Sequence, residues 1–519
     1  MKIKGLLKQL HAIDRECCLL EKTAAILQWD QETNLPPEGV EERADQLALI
    51  EGLANERAAD PKIGRLLAEL GFDSADPSGS ANPSGGEALP PVERDFCRAL
   101  RRRYDRAAKL PPGFAADMAR AGSLAQAAWV KARRKNDFAA FAPYLGTMVD
   151  FARTRAEYWG FTGGAVYDGL LDAHEPGIAA EEIARLFGPL RERLSALLGR
   201  IRDKTAAGPE AEGDRSFLNQ PYDTERQARY SRDLMENLGF DLRRGRLDSS
   251  AHPFTTTLGF NDIRITTRYA ENNILSAIFS TIHESGHAFY EMDISPDLRG
   301  TCLAEGVSMG IHESQSRLWE NVFGRSRAFW EYQFPRLKAI FPEQLRQVSA
   351  DAFYRAVNRV GPSLIRIEAD ELSYSLHIIL RFELERRLFS GDLPVEDLPR
   401  AWRQSMKELL GIEPETDAEG VLQDVHWSMG SFGYFPSYAL GNLYGLQFLK
   451  RLRQDLPDYE GDIARGSFTA IRQWLRENIY TWGRRLDPAD LLFKVTGEKL
   501  SAAPFLEYIE TKYTELYGL

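Results

Sequence analysis

The chain of 519 residues is 43% apolar and 27% charged, the balance of a soluble globular protein with a sizeable core. Its net charge of −11 argues against nucleic acid as the main partner, because phosphate contacts need a basic face. No window approaches the ~18 uninterrupted apolar residues of a membrane span, and the N-terminus runs into an amphipathic helix instead of a signal core.

In the first helix Ile3, Leu6, Leu7, Leu10, Ile13, Cys17 and Leu20 recur at helical spacing. A break at Asn34 to Gly39, carrying Pro36 and Pro37, precedes a second helix from Glu41 to Leu53. Trp29 reads as a helix-end core residue beside solvated acids. Residues 72–91 are dense in Gly, Pro and Ser and read as a flexible surface insertion. The arginines that follow, Arg98 to Arg106, read as a solvated face balanced by Glu93, Asp95 and Asp105. Further helices are predicted over 114–160, up to Lys204 and from Thr224 to Asn237, with a turn at Tyr167 to Gly177 and a polar loop at 206–213. Four cysteines (Cys17, Cys18, Cys97 and Cys302) form neither a CxxC pair nor a disulfide framework, which suits a reducing, cytoplasmic setting.

Between 252 and 270 the pattern changes. His252 to Leu258 and Ile263 to Tyr269 are rich in β-branched and aromatic residues, with Gly259 to Asp262 between them, and predict a β-hairpin. It suits either a groove wall whose edge accepts an extended peptide or a purely structural role. From 271 the chain is helical again, with breaks near Pro296, Pro342, Gly391 to Pro394 and Pro414. There is no internal repeat and no convincing linker. Residues 1–519 therefore read as one catalytic domain: a helical half over 1–250, and a half over 251–519 that carries the chemistry.

That chemistry centres on His283-Glu284-Ser285-Gly286-His287. Two histidines four apart project from one face of a helix, where a single zinc ion can take both imidazoles. Glu284 is the general base of this zinc-hydrolase spacing. A third ligand should follow on a later helix, and Glu305 and Glu313 both qualify by type. Eight residues apart on one continuous helix, they would share a face, and spacing from His287 does not choose between them. Whichever is not a ligand could hold a ligand histidine by its other nitrogen. Arg366, amid apolar helix positions in Ile365 to Asp370, suits capture of a carboxylate, or else a buried ion pair with Asp370 at helical spacing. His426, Tyr434 and Tyr438 offer donors for an oxyanion.

Five segments in order extend the pattern. They are Asp262-Ile263-Arg264-Ile265-Thr266 (DxRxT), His283 to His287 (HExxH), His312-Glu313-Ser314-Gln315 (HESQ), Ile365 to Asp370 (IRxxAD) and Gly420 to Trp427 (GxxQDxHW). Together they resemble the carboxypeptidase Taq family of metallocarboxypeptidases, the M32 peptidases. The resemblance implies an almost wholly α-helical, boat-shaped fold with a long central groove and a small sheet beside the zinc helix. It implies Glu313 as the third ligand, a homodimer, and release of single amino acids from peptides with a free C-terminus. In the expected mechanism Glu284 moves the proton, and Tyr434 or Tyr438 with His426 stabilises the oxyanion. Arg366, with Arg264, binds the terminal carboxylate. Co²⁺ is an alternative to Zn²⁺, since the ligand types do not choose between them. The competing readings are a zinc oligopeptide endopeptidase and a non-catalytic helical scaffold that binds peptides.

Overall fold

The computed structural model describes residues 2–73, 89–161, 164–206 and 215–519. Most of the predicted insertion at 72–91 and of the polar loop at 206–213 lies outside these residues. The described chain is predominantly helical, as predicted, with one small three-stranded sheet. No helix among the described residues is long and apolar enough to cross a membrane. The chain divides into two compact units, each assembled from three stretches. The first comprises Met1–Ala108, Gly213–Val357 and Gln447–Lys499, and the second Lys109–Glu212, Asn358–Leu446 and Leu500–Leu519.

In the first unit, α1 (Lys2–Thr33) buries Leu6, Leu10, Ile13 and Cys17 of the predicted stripe, together with Trp29, while Leu7 and Leu20 are half-buried and Ile3 is exposed. Helix α2 (Val40–Ala58) follows a single 3-10 turn at Pro37–Gly39. Pro36 and Pro37 cause the break: proline lacks the N–H that a helix interior needs and disfavours helical geometry in the residue before it.

The sheet contains the predicted hairpin, β2 (Thr255–Gly259) and β3 (Asp262–Thr267), paired antiparallel. It also contains β1 (Gly245–Ser249), which the sequence reading missed. This strand has one apolar residue, Leu247, so it shows no alternation; it runs parallel to β3, with Arg246 opposite Arg264. The central strand β3 buries Ile263, Ile265, Thr266 and Thr267, and Thr267 Oγ1 lies 2.6 Å from Ser280 Oγ.

Ser280 belongs to α3 (Ile274–Asp293), the helix at the centre of this unit. Asn273 starts it by accepting from the Ser276 amide at 3.1 Å. Fourteen of its twenty residues are buried, because the run Ile274, Ile278, Phe279 and Ile282 is continued by Phe289 and Tyr290. Helix α4 (Met309–Arg317) begins where Ser308 caps the Ile311 amide at 3.0 Å. It runs straight into one stretch of π-helix at Leu318–Phe323, a conformation that is rare and concentrated at functional sites.

In the second unit, α5 (Glu371–Ser390) is buried on all sides over its first half, and Glu383, Arg386, Arg387 and Ser390 mark an open face in its second half. Its start corrects the sequence reading of Ile365 to Asp370 as helical. Asp370 turns its carboxylate onto the Leu372 and Ser373 amides, both at 2.9 Å, and so becomes the cap of α5. The residues before it form only a 3-10 turn, Arg366–Glu368. A second 3-10 turn at His426–Met429 precedes α6 (Phe435–Asp455), which carries Tyr438.

Candidate active site

Helix α3 places His283 and His287 one turn apart, and α4 brings Glu313 across to them. Glu313 Oε2 lies 3.7 Å from His283 Nε2 and 3.4 Å from His287 Nε2. One donor atom from each of the three residues lies within 4.8 Å of the others. Donors on a tetrahedral ion with bonds of ~2.0–2.2 Å stand about 3.3–3.6 Å apart, so the three fit one divalent metal.

Glu305 does not compete for the position. It lies ahead of α4, not on a helix shared with Glu313, and pairs with Arg484 at 2.9 Å. Nor does it hold either histidine of the cluster. That work falls to Glu320, in the π-helical stretch, whose Oε2 accepts from His283 Nδ1 at 2.9 Å. Arg317 donates to the other oxygen of Glu313 at 2.7 Å, and Arg325 to Glu320 at 3.1 Å.

The charges here are strongly coupled. Burial opposes a charged His283, but Glu313, Glu320 and Glu284 outweigh it and carry its pKa up to about 8. Burial, with His312 and His283 nearby, brings His287 down to about 4 against the pull of Glu313. Burial also raises Glu313, yet Arg317 and the two histidines hold its carboxyl far below the usual range. Glu284 moves the other way. Burial, together with Glu313 and Glu320, lifts it despite His283 and a 2.6 Å hydrogen bond from Thr255 Oγ1.

The close meeting of α3 and α4 depends on Gly286, the fourth residue of the HExxH stretch. A Cβ there would lie 2.7 Å from Ser316 Cα and 2.9 Å from Gln315 O, both backbone atoms of the neighbouring helix. Gly286→Ala should therefore push α4 outward and draw Glu313 off the histidines. A loss of ~1–3 kcal/mol from overpacking is expected, together with metal content well below that of the parent protein. Thermal melts and elemental analysis would check this; wild-type metal content would show that the contact can relax.

The second unit holds a separate cluster. Arg366 Nε and Nη2 donate to Asp424 Oδ1 at 3.1 and 2.8 Å, and its Nη1 donates to the Tyr374 hydroxyl at 3.1 Å. Arg381 Nε donates to Asp424 Oδ2 at 2.7 Å, and its Nη2 to Gln423 Oε1 at 2.8 Å. The partner of Arg366 is thus Asp424, not the Asp370 of the sequence reading, because Asp370 is committed to capping α5. Two buried guanidinium groups share one carboxylate, which leaves one positive charge in excess. Burial works against Asp424, but Arg381 and Arg366 hold its carboxyl well below the usual range.

Tyr438 lies over this cluster, with the Arg366 guanidinium 5.1 Å from its ring centre. The His426 ring stands 5.6 Å from that of Tyr434, and its Nε2 is 3.5 Å from the Tyr438 hydroxyl. Burial and the two arginines lower His426 to about 4, against Asp424, so it is a neutral imidazole at pH 7. One further acid anchors the loop. Glu385, fully buried on α5, accepts from Tyr167 at 2.6 Å, Trp427 at 2.6 Å and the Gly433 amide at 2.9 Å. Arg264, by contrast, lies in the first unit. It forks onto Asp262 at 2.8 and 2.9 Å and stacks 4.2 Å from the ring centre of Trp29.

The family model described as carboxypeptidase Taq (M32) metallopeptidase matches residues 9–513. The chain belongs to the M32 family. It is therefore a metallocarboxypeptidase, a peptide hydrolase that works with a divalent metal. Among curated relatives it is 42% identical to thermostable carboxypeptidase 1 of Thermus thermophilus, over 98% of this chain and 99% of that protein. It is 38% identical to carboxypeptidase 1 of Bacillus subtilis over the full length of both. Among solved structures, the M32 carboxypeptidase of Deinococcus radiodurans superposes with a TM-score of 0.93 at 39% identity, covering 99% of this chain and 100% of that one. Metallocarboxypeptidase 1 of Trypanosoma cruzi does so with a TM-score of 0.92 at 33% identity, covering 98% and 99%.

Within this M32 chain, sequence reasoning missed Glu320, Glu291, Arg381 and Glu385. For the last two there was a signal. His377, Arg381 and Glu385 recur every four residues on one face of the helix, among Ile378, Ile379, Leu380, Phe382 and Leu384, which marks a buried polar stripe. For Glu320 there was none, since its direction is set by the π-helical stretch.

Proposed function

We infer that the enzyme is a zinc carboxypeptidase that removes single amino acids one after another from peptide C-termini, with broad side-chain tolerance. The observation that carries this reading is the convergence of the His283, His287 and Glu313 donor atoms, with Glu284 beside them on the same helix. Bound zinc supplies Lewis acidity, which brings the pKa of a water toward neutrality and polarises the scissile carbonyl. Co²⁺ suits the same ligand types.

In this reading His283, His287 and Glu313 hold the ion. Glu284 takes the proton of the attacking water and returns it to the leaving amine. Tyr434 or Tyr438, with the neutral His426, donates to the developing oxyanion. Arg366 binds the terminal carboxylate, and the excess positive charge it shares with Arg381 over Asp424 supports that role. Arg264 is the second arginine proposed for the carboxylate; its fork is already taken up by Asp262, so its support is weaker.

The family match over residues 9–513 supports treating 1–519 as one catalytic domain. Four free cysteines support a cytoplasmic setting. The homodimer comes from the family resemblance, and sedimentation velocity tests it.

A peptide ladder read by mass spectrometry tests the whole reading. Zinc-loaded enzyme should shorten a free-acid peptide one residue at a time and leave its C-terminally amidated twin intact. Internal cuts in both peptides would instead make it an endopeptidase, and an inert metal-loaded protein would leave only a peptide-binding scaffold.

A further inference from the structure

A partly buried line of hydrogen bonds runs away from His287. Its Nδ1 lies 2.5 Å from His312 Nδ1, and His312 Nε2 lies 2.8 Å from Glu291 Oε1. Two imidazole nitrogens can bond only when one carries the proton and the other a lone pair. The carboxylate end decides which. Glu291 can only accept, so His312 carries a proton on Nε2 and, as a neutral imidazole, presents a lone pair at Nδ1. His287 must then donate from Nδ1, which frees its Nε2 lone pair toward Glu313 and the proposed ion. The opposite order would place the His287 proton on the ligating nitrogen and set a His312 lone pair against a carboxylate.

The space for His312 is built for it. A Cβ on Gly306 would come within 2.7 Å of His312 Cδ2, so no side chain fits there. The Tyr290 ring also lies 5.2 Å from the imidazole, fixed by the Val307 amide, which donates to its hydroxyl at 3.1 Å. The two histidines of α3 are therefore held differently. His283 donates straight to a carboxylate, Glu320, whereas His287 reaches one only through a second imidazole.

We propose that His312, oriented by Glu291, is a positioning residue that holds His287 in the tautomer with Nε2 open to the metal. The proposal rests on His287 being a metal ligand, and the test separates the two ideas. Zn²⁺ affinity would be measured by competition with a chromophoric chelator, alongside melting of the metal-free protein. The proteins are wild type, His287→Ala, His312→Leu, His312→Asn, Glu291→Leu and the His312→Leu/Glu291→Leu double variant.

His312→Leu should bind Zn²⁺ ~10–100-fold more weakly, the usual effect of losing such a support. His312→Asn, whose side-chain oxygen can accept where Nδ1 did, should recover most of that loss. Glu291→Leu should weaken binding too, and the double variant no more than His312→Leu, because the two residues act in series. Wild-type affinity in His312→Leu, an Asn variant no better than Leu, or additive losses in the double variant would each overturn the proposal. Should His312→Leu fail to fold, the Asn and Glu291→Leu variants still decide it. If His287→Ala binds Zn²⁺ as tightly as wild type, the ligand reading itself fails.

Discussion

Glu284→Gln should lower kcat by ~10²–10⁴-fold, the usual contribution of a positioned general base, and leave the metal content unchanged. The substitution keeps the shape of the side chain and an oxygen that can still accept from Thr255 Oγ1, which lies 2.6 Å from Glu284 Oε2. None of the three converging donors is touched. What is lost is the ability to take a proton and give it back. Burial raises the Glu284 carboxyl from its ordinary value, which brings it closer to the range where one group can serve as base and then as acid. Steady-state kinetics with a free-acid peptide, paired with elemental analysis, checks this. A variant with full metal and near-normal kcat would sink the assignment.

Asp424→Ala should cost ~3–5 kcal/mol, because it leaves Arg366 and Arg381 buried without their shared counter-charge. Their side chains are only 7% and 0% exposed, so water cannot take over the role of the carboxylate. The cost carries a pH signature. The folded pKa of Asp424 lies below its unfolded value of ~3.9, so its stabilisation is fully present above ~pH 4 and fades as pH falls through the lower folded value. The wild-type and variant stability curves should therefore differ by a constant amount from pH 5 to 8 and converge in acid. Denaturant melts across that range test it; a variant as stable as wild type at pH 7 would mean that the cluster tolerates two bare guanidinium groups.

Much of this site is legible in the linear chain, and for local reasons. The period of an α-helix places His283 beside His287 whatever surrounds them, and Pro36, Pro37 and Pro296 interrupt helices through their own covalent geometry. The β2–β3 hairpin is equally local: two β-branched runs joined by Gly259 to Asp262. What stayed hidden depends on partners distant in sequence. β1 exists as a strand through its parallel pairing with β3, which its own composition does not announce.

The proposed third metal donor shows the same division. Spacing alone left Glu305 and Glu313 equal, and only the resemblance to the M32 family favoured Glu313. Tertiary structure supplies the physical reason. Gly286 lets α4 pack against the backbone of α3, which presents Glu313, while Glu305 stays outside the helix and pairs with Arg484. Arg366 is similar: the sequence marks it as a buried arginine, but its partner lies 58 positions away at Asp424.

The sequence by itself therefore pointed to metal-assisted peptide hydrolysis and to the groups proposed to carry it, because helical period and residue chemistry are short-range properties. Only the tertiary structure decided which acid meets the two histidines, which groups hold His283 and His287 in place, and which carboxylate Arg366 and Arg381 share. Those choices depend on side chains tens of residues apart meeting within ~3 Å, and no pattern along the chain encodes such a meeting.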